Sequence, residues 1–195
     1  DDFSLYDTEY ASFRPALTFP VSEFSRLTLY YSATYSDQGS YFGASPTLAA
    51  ESALGGQIAS AIGYRLTYDT RGVGLNPNAG VLIDSGIEYA GLGGNQEYIK
   101  STLRVLGETK VLNEEVTLRA SFEAGAIDFS GTPKSRAIDR FTDKVIRGFE
   151  PNGMGPVQAG EHLGGNLYAA AKFEAEFPLG LPSEFGITGG LFYDI

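Results

Sequence analysis

The 195-residue sequence has no cysteine, no tryptophan and a single histidine. Without cysteine there is no disulfide scaffold, no thiolate metal site and no cysteine nucleophile. One histidine, His162, excludes a multi-histidine metal centre. Positive charge is scarce as well: 14 Lys+Arg stand against 24 Asp+Glu, for a net charge of −10 and a pI near 4.5. That is the opposite of the basic face by which a nucleic-acid binder is recognised. No apolar run approaches the ~18 residues of a membrane-spanning helix, and candidates such as Leu167–Ala171 break off after a few residues. A transmembrane β-barrel survives this exclusion, because its strands are amphipathic. The chain opens on Asp1 with neither a charged nor an apolar leader region, as expected after processing or truncation.

What is abundant is glycine (25), tyrosine (12) and phenylalanine (13), with only 19% charged residues, a composition that suits an all-β chain with many turns. Apolar and polar residues alternate with period two along most of the length. In the last third, Leu167, Ala169, Ala171, Phe173, Ala175 and Phe177 share one face, and Tyr168, Ala170, Lys172, Glu174 and Glu176 the other. Val116, Leu118, Ala120, Phe122 and Ala124 likewise oppose Thr117, Arg119, Ser121 and Glu123. The pattern predicts about eight antiparallel strands, at 8–19, 24–36, 55–69, 79–91, 96–109, 115–128, 166–178 and 185–195, with a long loop over 129–165.

Several of these segments exceed the ~5–6 residues of an ordinary soluble strand and match the ~9–11 needed to cross a bilayer obliquely. Short connections alternate with long ones, apart from the brief Gly91–Asn95, and Tyr35, Tyr68, Tyr89, Phe177 and Phe185 lie near strand ends where interfacial girdles sit. Alternation alone does not tell inside from outside, and a soluble β-sandwich with one wet face per strand shows the same period. Strand length and aromatic ends favour the membrane barrel.

The long loop carries a dense glycine–proline stretch, Lys144 to Pro156, in which Val145, Ile146 and Phe149 are too apolar for a free tip. If the loop folds into a barrel lumen, Arg147 meets Glu174 and Asp194, which share the inward parity of their strands and suit a two-pronged guanidinium. A solvated surface arginine is the equal alternative from spacing alone. The other charges of inward parity, Arg65, Asp84, Glu88, Lys100, Arg104, Glu108, Arg119 and Glu123, are expected to solvate the interior.

Ile146-Arg147-Gly148-Phe149 resembles the Val-Arg-Gly-Phe motif in the sixth extracellular loop of the BamA-type outer-membrane assembly family, with Ile in place of Val. Gly155-Pro156, then Gly164-Gly165-Asn166 opening the strand of Glu174, and Gly190 to Asp194 closing the chain, resemble the family pattern in the same order. So does Asp69-Thr70-Arg71 followed by Pro77 and Gly80, while the run Glu176 to Pro182 looks most like α-proteobacterial versions. The resemblance implies part of a sixteen-stranded barrel, strands six to thirteen, from a protein whose barrel follows periplasmic POTRA domains; an eight-stranded closed barrel would leave the long loop no room. It further implies folding and insertion of other barrel proteins into the bacterial outer membrane. Client outer-membrane proteins, accessory assembly lipoproteins and outer-membrane lipid are then the partners, and no nucleic acid, metal, cofactor or catalytic residue is expected. On this pattern Ile146, Arg147, Gly148 and Phe149 lock the loop, with Glu174 and Asp194 as lumen partners. A related POTRA-barrel translocator, of two-partner secretion or translocation-assembly type, and a pore are the alternatives. Hydrolysis through His162, a lone histidine in a glycine-rich stretch, is disfavoured.

Overall fold

The computed structural model describes residues 6–72, 78–132, 134–142, 146–148, 153, 155–180 and 185–195. Long strands follow from the long alternating segments: β3 (Ser25–Tyr41), β4 (Gln57–Asp69), β5 (Ala79–Gly94), β6 (Tyr98–Val111), β7 (Val116–Phe129) and β10 (Leu167–Pro178), with the shorter β11 (Thr188–Asp194). They pair antiparallel with their neighbours in one sheet, in the order β1-β3-β4-β5-β6-β7-β10-β11. The first predicted segment is two strands, β1 (Tyr6–Phe13) and β2 (Ala16–Pro20), both paired to β3. The break falls at Arg14–Pro15, because proline has no N–H to give to the ladder.

Two further elements lie where loops are expected. Between β3 and β4 sits α1 (Pro46–Ser52), started by the Ser45 cap, whose hydroxyl accepts from the Leu48 N–H, and by proline in its first turn. Inside the 129–165 loop, β8 (Val157–Gln158) pairs with β9 (Glu161–His162). β3 runs on to Tyr41, five residues past its predicted end at 36, and β1 pairs along it from Ala33 into this extension, to Tyr41.

The period-two alternation gives the sheet two unlike faces. One face is bare and apolar: Ile62, Ile87, Ile99, Phe122, Phe173 and Leu191 are all exposed on it. A soluble sandwich would hide these side chains, and an apolar surface of this extent needs an apolar solvent. Among the described residues no helix is long and apolar enough to cross a membrane. The opposite face is covered at its long-loop end by residues 134–142. There Ala59, Ala61, Ala90, Ile127, Phe129, Ala137 and Ala170 are buried with Ser36, Gln38, Gln57, Gln96 and Arg136.

Phe141 seats this covering segment. It exchanges backbone hydrogen bonds with Gly165 (2.9 and 3.0 Å), and its ring lies 4.8 Å from that of Tyr168 and under Lys100 Nζ at 5.2 Å. Both rings occupy the space a side chain at Gly125 would take. Gly125→Val should therefore destabilise the protein by about 1–3 kcal/mol, the usual cost of overpacking, read as a lower unfolding temperature in detergent or bilayers.

Candidate functional site: an arginine held on the covered face

The β10–β11 register places Glu174 opposite Phe192 and Lys172 opposite Asp194, so Glu174, Phe192 and Asp194 all project from the covered face. Arg147 closes over them. Its Nε and Nη2 donate to Asp194 Oδ2 and Oδ1 at 2.8 and 2.6 Å, its Nη1 donates to Glu174 Oε1 at 2.6 Å, and its backbone N–H donates to Asp194 Oδ2 at 3.0 Å. The guanidinium carbon stands 4.1 Å from the centre of the Phe192 ring. The Asp194 side chain is 5% exposed, whereas Arg147 and Glu174 keep 39% and 37%. A planar fork on one carboxylate with a second carboxylate on the remaining nitrogen is a geometry lysine does not reproduce.

Of the predicted motif, Ile146, Arg147 and Gly148 are described, Gly148 with φ of 92°, while Phe149 and Val145 lie outside the described residues. Phe192 was not singled out in the sequence. It has the inward parity of Asp194, but an uncharged ring gives no sign of pairing with a guanidinium.

Seven of the other eight inward charges, expected only to solvate the interior, pair with an opposite charge, and Lys100 lies over the Phe141 ring. Arg119 holds Glu108 at 2.6 Å and Glu176 at 3.1 Å. Arg104 and Lys172 share Glu123 at 3.6 and 3.7 Å. Arg65 meets Asp84 at 3.3 Å, and Glu88 receives the Tyr98 hydroxyl at 2.8 Å with Arg14 at 3.6 Å. Because Glu174 lies opposite Arg119 in the β7–β10 register, the Arg147 cluster continues directly into this ladder.

A second cluster sits in the covering segment. Arg136 is fully buried; its Nε and Nη2 bind Asp139 at 3.0 and 3.2 Å, and it reaches the Ser36 carbonyl (3.1 Å) and hydroxyl (2.6 Å) on β3. Gln96, from the β5–β6 connection, donates to Asp139 at 3.3 Å. Glu51 of α1 accepts from the Ala137 N–H at 2.9 Å and pairs with Arg140. Removing one member of a buried, fully bonded pair typically costs about 3–5 kcal/mol. The sequence signal was slight, an arginine and an aspartate three apart, because the partners come from positions up to 100 residues away.

The β8–β9 hairpin docks on the start of α1. Ser45 Oγ donates to Gln158 at 2.5 Å, Ala44 N–H donates to Glu161 at 2.8 Å, and the Tyr41 hydroxyl also donates to Glu161. His162, beside it, is exposed. Among the described residues no group of three or more acidic or histidine side chains is placed to hold a metal ion.

The Omp85 superfamily domain matches residues 1–195. The chain belongs to that superfamily. It is 28% identical over 183 residues to the outer membrane protein assembly factor BamA of Neorickettsia risticii, covering 92% of this chain and 24% of that protein. It is 30% identical over 142 residues to the sorting and assembly machinery component 50 homolog of Homo sapiens, covering 71% of this chain and 30% of that protein. The chain thus spans 24% and 30% of the length of these two relatives. The crystal structure of BamA from Haemophilus ducreyi lacking POTRA domains 1–3 superposes with a TM-score of 0.81 at 14% identity, over 97% of this chain and 41% of that one. The sheet is therefore wall of an Omp85 barrel in the bacterial outer membrane, its bare face toward lipid and its covered face toward the lumen.

The hydrogen bond from Tyr41, joined by the backbone N–H groups of Ala44 and Ser45, outweighs desolvation and holds Glu161 below its usual value of 4.5. A carboxylate lowered in the folded state stabilises above its unfolded pKa, and that contribution is lost as pH falls through the folded one. The β8–β9 hairpin should stay docked at neutral pH and become sensitive to an acid-active protease as pH drops below 4.5. Glu161→Gln should already be loosened at neutral pH and show a flat response.

Proposed function

We propose that this chain is a contiguous part of the single barrel domain of an assembly factor that folds and inserts other β-barrel proteins into the outer membrane. The observation that carries the reading is the Arg147 fork on Asp194 and Glu174, within a chain of the Omp85 superfamily. In this role Ile146, Arg147, Gly148 and Phe149 form the locking motif and Glu174 and Asp194 its lumen partners. The segment gives the wall a fixed internal brace, so that a client strand entering elsewhere on the barrel meets a template that does not collapse.

No bond is made or broken in such a reaction. The work lies in the pairing of backbone groups, each costly to leave open in hydrocarbon, with a sheet edge serving as template. The partners are client outer-membrane proteins, accessory assembly lipoproteins and the surrounding outer-membrane lipid, and the protein has no catalytic residue. A pore or a POTRA-barrel translocator would share the fold, and measurable conductance through the complete protein would favour the pore.

The test is Arg147→Ala in the full-length protein, with Arg147→Lys beside it. Both should lower client insertion and expose the 146–165 region to protease, alanine more than lysine. Wild-type insertion together with wild-type protease resistance would overturn the reading.

A further inference from the structure

We infer that the buried Arg136 cluster is the positioning device of the Arg147 latch, fixing where the returning chain enters the lumen and so how Arg147 reaches Asp194. The inference rests on the reading of Arg147 as a lumen lock and adds residues that act on it from a distance. Arg136 lies on the same loop and touches neither Asp194 nor Glu174; its bonds go to Ser36 on the barrel wall and to Asp139.

The cluster ties three separately connected elements to one point. Ser36 belongs to β3, Gln96 to the β5–β6 connection and Glu51 to α1. Each is an independent tether, and none of these residues is more than 9% exposed. Breaking a clasp of that burial leaves charged and polar groups unpaired away from water, so it holds residues 136–140 against the wall.

Chain length gives the consequence. Arg147 lies eighteen residues beyond Phe129, the end of β7, but only six beyond Phe141, which is bonded to Gly165 next to the cluster. Shortening a tether threefold raises the effective concentration of its end roughly fivefold, by the three-halves power of length. With the clasp made, the guanidinium searches a small volume around its carboxylates. With it broken, the segment is left to the Phe141–Gly165 backbone pair, which opens more readily without the clasp beside it, and the same fork forms less of the time.

The experiment uses the full-length protein in bilayers and follows hydrogen–deuterium exchange. Glu51→Gln removes the charge that pairs with Arg140 from α1, a different loop, and makes no contact with residues 146–148. Arg136→Met removes the fork at similar length. Both variants should speed exchange at 146–148, by up to about fivefold, the ceiling set by the tether argument, while exchange in β7 and β10 stays as in wild type. Faster exchange confined to 135–141, with 146–148 unchanged in Glu51→Gln, would overturn the inference even if Arg136→Met failed to fold. If 146–148 lost protection and client insertion held, the positioning role would stand and the assembly reading of the latch would fall.

Discussion

Backbone N–H and C=O groups that face hydrocarbon have no water to fall back on, and every one must find a partner within the sheet. This constraint makes the strands of this chain long and continuously paired, and it fixes the parity of every side chain. Once Ile62, Phe122, Phe173 and Leu191 are committed to lipid, their neighbours Gly63, Glu123, Lys172 and Phe192 have only the lumen. A lumen-facing charge then needs a partner of opposite sign across a strand pair. The cross-strand ladder from Arg65–Asp84 to Arg119–Glu176 follows from these two requirements.

Arg147 exploits the same arrangement. It is a loop residue that completes a carboxylate set the wall would otherwise leave in excess, for the wall's other inward acids already have basic partners across the strands. The 5% exposure of Asp194 shows how far the loop shields it. A carboxylate so enclosed and unpaired would be expensive, so loop and wall stabilise each other. The clasp around Arg136 works by similar chemistry under tighter burial, and its partners come from β3, α1 and the β5–β6 connection at the long-loop end. That end is accordingly one packed unit.

Much of this was legible in the sequence, for a physical reason. The face of β7 or β10 is a local property with period two, so Phe122 against Glu123 or Phe173 against Glu174 could be assigned without knowing any contact. Glu174 and Asp194 were accessible because parity and charge sufficed to nominate them. Three things were not legible. Proline at position 15 marked a break that the surrounding alternation masked. Phe192 shares the parity of Asp194, but an aromatic carries no charge to nominate it as a partner of Arg147. The role of Arg136 depends on Ser36 and Glu51, and contacts across such separations leave no periodic trace. The Ser45–Pro46 helix start was a readable signal on a helix too short to show a period of its own.

The central claim is the orientation of the wall, and the absence of cysteine in this chain makes it directly measurable. Single cysteines would be placed at Phe173 and at Lys172, adjacent positions on β10, in the full-length protein in lipid bilayers, and each would carry a nitroxide. The account predicts that the label at 173 relaxes with dissolved oxygen, which concentrates in hydrocarbon, and the label at 172 with a water-soluble nickel chelate. The reverse pattern, with 172 in lipid and 173 in contact with water or in a dry protein core, would contradict it.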